Sequence, residues 1–285
     1  MFISIKKLSF LLSFLFLSSC SNYGQLKVIA DLPNFLKEVS GTQTVKNSAL
    51  IWMLNDGGNA NKIYGLSPKG KLQKEIYINA KNHDWEDLTS DDNGNLYIGD
   101  FGNNHNTRKN LAILKISNND LASAKNIAIK RIRFEYPNQH KFPPKKKHLY
   151  FDTEAFFFHN DSIYLFTRSR VKGDYGKTSL YKIPATEGYH VATFISEFTF
   201  CDELKCSITS AAISSDKKKV VLLSYDTLLL FTDFKADDFF NGKVTQLALN
   251  HTSQKESVCF KDDNTLYITD ERAHGKGGNL YEFGF

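Results

Sequence analysis

Three glutamates recur at one position of a repeated pattern, and matched carboxylates are raw material for a cation site. They are Glu86 in Trp85-Glu86-Asp87-Leu88, Glu154 in Thr153-Glu154-Ala155-Phe156 and Glu256 in Lys255-Glu256-Ser257-Val258. A hard divalent cation such as Ca²⁺ takes several oxygen ligands, which such a set supplies with help from Asn or Asp. The same carboxylates also suit a structural network. Each can accept backbone N–H groups at a strand start or pair with Arg168 or Arg272, since a buried charge needs a partner. Thr209 stands at the equivalent place in a fourth copy, which breaks the ring and favours the network.

Other residues of the same pattern are candidates for binding. Arg168, Tyr225, Asp270, Asp100, Asn55 and Asp56 each end or directly follow an apolar run, and Arg272 follows Asp270 closely. His105, in Gly102-Asn103-Asn104-His105-Asn106, has the side-chain type for proton transfer near neutral pH. An Asn-rich turn, with Asn tolerating left-handed backbone, is the competing reading. Trp85 is the candidate for an exposed stacking face, whereas Trp52 lies mid-strand and reads as core. No Ser, Cys or Thr stands in a Gly-x-Ser-x-Gly elbow, so covalent acyl chemistry has little support.

The elements that must position these residues come from the repeat itself. A short strand, a turn and an apolar strand recur about every 50 residues, around Ser40, Glu86, Glu154, Thr209 and Glu256. Turn residues mark the hairpins: Asp91-Asp92-Asn93-Gly94, Asn160-Asp161-Ser162 and Asp262-Asp263-Asn264. Further strands extend each copy to four, as in residues 111–116 and 127–134 of the second copy. Four-stranded antiparallel units repeated about an axis make an all-β propeller. The last copy has three strands, and residues 26–30 supply a spare one that closes the ring and removes its open edges. Five blades result. Six is the alternative, through a degenerate blade in the long interval between Glu86 and Glu154. In this architecture the strand starts and ends listed above meet at one funnel mouth.

The segments Trp52-Met53-Leu54-Asn55-Asp56-Gly57-Gly58-Asn59, Asp84-Trp85-Glu86-Asp87 and Tyr97-Ile98-Gly99-Asp100-Phe101-Gly102-Asn103-Asn104 resemble a group of uncharacterised bacterial secreted propellers. The chain also resembles the SdiA-regulated family and, more distantly, phytase-like and gluconolactonase-like propellers. The resemblance implies fold and location more than activity.

The N-terminus reads as a targeting segment. Lys6-Lys7 precede a short apolar run, Leu8 to Leu17, too short for a membrane span. Leu17-Ser18-Ser19-Cys20 is similar to a bacterial lipobox, which implies cleavage before Cys20 and acylation of its sulfur. The expected organisation is a signal peptide over 1–19, a lipidated tether over 20–25 and one propeller domain over 26–285. The cell envelope is the expected location, with the outer membrane implied by Ser21 and the facing side open. Cys201 and Cys206 could pair in such an oxidising compartment, and Cys259 reads as a small buried residue. The net charge of +5 is modest. Without a basic run interleaved with aromatics, a nucleic-acid partner is not expected, and Lys145-Lys146-Lys147 reads as a solvated loop. Two functions remain. One is a lipid-anchored propeller binding a small ligand, glycan or protein at the funnel; the other is a Ca²⁺-dependent lactonase or phosphoesterase.

Overall fold

Turn-forming residues set the strand boundaries. At Asp91, the side chain accepts from the Asn93 and Asn95 amides at 3.0 and 2.9 Å, and Gly94 takes a φ of 78° that favours glycine. In a computed structural model, which describes residues 22–123 and 127–285, the chain forms a five-bladed β-propeller. Cys20 and the leader lie outside the described residues.

The inner strands are Val39–Thr44, Trp85–Ser90, Asp152–His159, Ser210–Ile213 and Lys255–Asp262. Each pairs antiparallel with the next strand of its own blade: Ile51–Asn55, Leu96–Asp100, Ser162–Arg168, Val220–Leu223 and Thr265–Asp270. Third and fourth strands follow outward, giving the four strands expected per blade. Lys27–Asp31 pairs antiparallel with Asn279–Gly284, with Val28 opposite Tyr281. The N-terminal strand thus completes the fifth blade, as the spare strand implied. Arg272 fastens this seam by donating to the Leu32 carbonyl at 2.8 Å and pairing with Asp31.

A strand exchange between blades has no counterpart in the sequence reading. Gly188–Val191 leaves the third blade and adds to the second as a fifth strand, parallel to Ile129–Glu135. The segment between Pro137 and His148 is loop, as expected, apart from one short turn of helix at Lys146–His148. Among the described residues no sixth blade occupies the long interval. Cys201 and Cys206 form a disulfide across a Cα separation of 6.0 Å. Cys259 is buried, and burial pushes its thiol up to about 12, so it stays protonated and inert.

Strand alternation gives each blade two apolar faces, and one core cluster fills each gap between blades. Trp52 and Leu54 of the first blade meet Ile98 of the second. Met53 of the first meets Tyr267 and Leu280 of the fifth, closing the circle. Each such side chain contributes roughly 1.5–3 kcal/mol when fully buried.

The axis is filled differently. Beside the glutamate positions stand Gly41, Asp87, Ala155, Ser210 and Ser257. Four of these are small, and the room they leave holds the Asp87 carboxylate. It accepts from the Leu88 amide at 2.8 Å, from Ser210 Oγ at 2.9 Å and from Ser257 Oγ at 3.4 Å. One carboxylate of the second blade therefore ties in the fourth and fifth. Gly41 packs tightly here: a Cβ would lie 3.0 Å from the Leu54 and Leu88 side chains and 3.1 Å from the Asp87 backbone, and these neighbours would have to give way. Asp87→Asn turns a donor toward these donors and is expected to lose about 1–3 kcal/mol in urea unfolding. A loss within the ~0.5 kcal/mol typical of inert surface changes would contradict this role.

Candidate functional site

The glutamate ring is built by a repeated irregularity. The pairing register slips between Val39 and Gly41, between Trp85 and Leu88, between Thr153 and Ala155 and between Lys255 and Ser257. The skipped residues are Ser40, Glu86 with Asp87, Glu154 and Glu256. A β-bulge re-aims a side chain, and here it turns the same position of four blades toward one funnel. In the fourth blade, Thr209 stands just before the inner strand and donates to the Lys255 carbonyl at 2.7 Å. Ser40 donates to the Trp85 carbonyl at 3.3 Å. Where the ring lacks a carboxylate, a hydroxyl stitches one blade to the next.

Glu86, Glu154 and Glu256 line one cavity of about 180 Å³ at the funnel floor, together with Asp56, Arg168 and Tyr225. Arg170, Glu271, Asn104 and Gln254 complete its wall. The carboxylates then divide into two kinds. Glu154 is paired: Arg168 Nη1 lies 3.3 Å from Oε2, and Arg170 Nη2 lies 2.5 Å from Oε1. Arg170 also reaches Asp152. Burial pushes Glu154 upward, but the two guanidinium groups outweigh it and hold its carboxyl below the ordinary value. Arg168 further donates to Tyr225 Oη at 2.7 Å and lies over the Tyr225 ring.

Glu86 and Glu256 are of the other kind. Each is 7% exposed, and neither carboxylate has a hydrogen-bond or ion-pair partner among the described residues. Burial raises both well above the ordinary carboxylate value, and the nearby Glu154 charge adds to the rise. Asp56 is raised to about 7, chiefly by burial with help from Asp84 and Glu154. Burial and the Glu271 neighbourhood of acids, Asp56 and Glu38, take Glu271 to about 8.

Asp56, Asp84 and Glu86 each bring a carboxylate oxygen within 4.8 Å of the others. Two glycines clear space for this triad. A Cβ on Gly102 would fall 1.9 Å from Glu86 Oε1, and one on Gly57 would fall 2.2 Å from Asp84 Oδ1. Backbone therefore approaches the carboxylates closely, where a side chain at either position would collide with them. The arrangement is an acidic cluster able to hold an ion.

The remaining sequence candidates lie elsewhere or do other work. Trp85 is not an exposed stacking face: it is 0% exposed and packs with Trp52 in the core. The adjacent bulge gives Glu86 and Asp87 to the axis and leaves Trp85 pointing into the gap between blades. Asp100 is buried behind the funnel, held by Arg108 and His83 at 2.9 Å each. Asn55 donates to the Phe35 carbonyl at 2.7 Å. Asp270 accepts from Tyr281 Oη and the Asn279 amide at 2.8 Å each, inside its own blade. Arg272 belongs to the closing seam. His105 is exposed, while its neighbour Asn104 lines the cavity. The buried members of that loop are Asn103 and Asn106, which brace it against Phe151. Arg170 was not singled out by the sequence; its signal is its place two residues beyond Arg168. A larger cleft of about 610 Å³ lies under the loop of Lys141, Lys145 and Lys147. Those lysines are exposed and solvated, and the cleft has no cluster of buried polar groups comparable to the funnel.

Solved structures with this overall shape are numerous, and the three described next are distant in sequence. A glucose dehydrogenase aligns with a TM-score of 0.51 at 9% identity, covering 91% of this chain and 99% of that one. A gluconolactonase from Xanthomonas campestris aligns at 0.47 and 10% identity, covering 86% and 71%. A streptogramin B lyase aligns at 0.46 and 13% identity, covering 86% and 80%. At these identities the likeness is one of fold. No protein-family model matches the sequence, and no curated protein matches it. What the funnel does has to be argued from its own groups.

Proposed function

We propose that this chain is a lipid-anchored cell-envelope β-propeller that binds Ca²⁺ at its funnel floor and recognises a small ligand beside it. The cation ligands are Asp56, Asp84 and Glu86. This moves the assignment from the three equivalent glutamates to one glutamate and two aspartates, since Arg168 and Arg170 already claim Glu154. One observation carries the reading: Glu86 is buried, has no donor among the described residues, and lies within 4.8 Å of two other carboxylates whose approach Gly57 and Gly102 permit. An uncompensated buried carboxylate is costly, and a hard cation with oxygen preference removes that cost. Elemental analysis of protein purified without chelator, with calorimetric Ca²⁺ titration of the stripped form, tests it. About one Ca²⁺ per chain is expected, and no binding at millimolar Ca²⁺ would overturn it.

A hydrolytic reading has one specific support. Glu271, raised to about 8, stands on the same cavity and suits general-base work on a cation-polarised ester. Anchoring rests on Leu17-Ser18-Ser19-Cys20 and on multiple acyl chains giving stable membrane attachment. No described helix is long and apolar enough to cross a membrane. Cys20→Ser is expected to shift the protein from the membrane to the soluble fraction or to block maturation. Unchanged fractionation and processing would contradict lipidation.

A further inference from the structure

The charges of the funnel point to the kind of ligand it takes. Five carboxylates line the cavity: Asp56, Glu86, Glu154, Glu256 and Glu271. Only two cationic side chains oppose them, Arg168 and Arg170, and both are bonded to Glu154. A cation held by Asp56, Asp84 and Glu86 satisfies one wall. On the other wall Glu256 stays unclaimed. It is nine-tenths buried, it lines the cavity, and among the described residues no group donates to it. Its neighbour Glu271 accepts a single bond, from Gln254 Nε2 at 2.6 Å.

We infer that Glu256, supported by Glu271, receives the protonated amine of a small polar ligand. The inference rests on the cation reading, which is what leaves Glu256 as the unclaimed carboxylate. An ammonium group has three donors and no acceptor, and this wall offers acceptors on Glu256, Glu271 and Gln254. A charge-assisted hydrogen bond to a desolvated carboxylate is among the stronger polar contacts available. A second divalent ion fits less well, because Arg168 beside Glu256 repels a double charge more than a single one. An anionic group meets two carboxylates on this wall, Glu256 and Glu271, and is disfavoured there. Glu256 is therefore the specificity-determining residue of the funnel.

The test is binding of matched amine and alcohol pairs to the mature protein in saturating Ca²⁺. The probes are glucosamine with glucose and 1,4-diaminobutane with 1,4-butanediol. At least one amine is expected to bind tenfold or more tightly than its alcohol, the size expected for a hydrogen bond between charged groups. Glu256→Gln is expected to erase that preference while keeping a cooperative melt and the wild-type Ca²⁺ response. Equal binding within both pairs, no binding of either amine, or a preference that survives Glu256→Gln would overturn the inference. The two readings fail separately. A missing Ca²⁺ response in wild type, with an amine preference that Glu256→Gln abolishes, would overturn the cation site and leave the amine site standing.

Discussion

Replacing Arg168 with methionine is expected to remove about 3–5 kcal/mol of stability, the loss seen when one partner of a buried ion pair is deleted. Arg168 is 6% exposed and bonds both Glu154 and Tyr225. It is also the guanidinium nearest Glu256, whose charge is felt at Arg168 after that of Glu154. Methionine keeps much of the volume and removes the charge, leaving Glu154 to Arg170 alone. Urea unfolding of wild type and Arg168→Met measures the loss. A second step isolates its cause: adding Glu154→Gln to Arg168→Met is expected to recover part of it, because a buried charge left with one guanidinium instead of two disappears. A loss below about 1 kcal/mol would show that Arg170 alone carries Glu154 and would contradict a structural role for Arg168.

How much of this was legible in the sequence depends on the distance over which the cause acts. Blade boundaries were legible because local chemistry sets them: Asp91 and Gly94 make their turn whatever surrounds it. Ring closure was legible because an incomplete last copy and a spare first strand imply each other. The gathering of Glu86, Glu154 and Glu256 was legible from repeat position, but its cause was not. Simple alternation does not turn these residues to the axis; bulges do, and a bulge leaves no residue signature here. The same bulge misled the reading of Trp85. Asp87 escaped notice because its role needs the small residues of the other four blades, which the repeat does place in register. The partition of carboxylates was not legible at all. It depends on Arg170, which a loop swings back onto Asp152 and Glu154. Gly57 and Gly102 were visible as motif residues, while the Asp84 and Glu86 oxygens they accommodate became evident only in three dimensions.

The second large effect is on pH dependence and its reduction by Ca²⁺. In the folded, cation-free protein Asp56 and Glu271 titrate at about 7 and about 8, against ordinary values of 3.8 and 4.5. Asp84 and Glu86 are displaced in the same direction, by burial first. A carboxyl raised on folding contributes stability that is full below its unfolded value and lost as pH rises through its folded value. The cation-free protein is therefore expected to weaken steadily from about pH 4 to about pH 8. Bound Ca²⁺ stabilises the ionised forms of Asp56, Asp84 and Glu86, so saturating Ca²⁺ is expected to reduce that decline and leave the share due to Glu271. A stripped protein whose stability rises across this window would contradict the raised carboxyls.

The central claim is that Asp56, Asp84 and Glu86 hold a cation, and one set of melting curves tests it most directly. Wild type and Glu86→Gln are each melted near pH 8 in EDTA and in Ca²⁺. A ligand at about 100 times its Kd stabilises the folded state by about 2.7 kcal/mol. For a chain of this size that corresponds to a rise of roughly 5–10 °C. The account predicts that rise in wild type and its loss in Glu86→Gln, whose EDTA melt lies at or above the wild-type EDTA melt because one buried charge is gone. It is contradicted if Ca²⁺ leaves wild type unmoved, or if Glu86→Gln keeps the full rise.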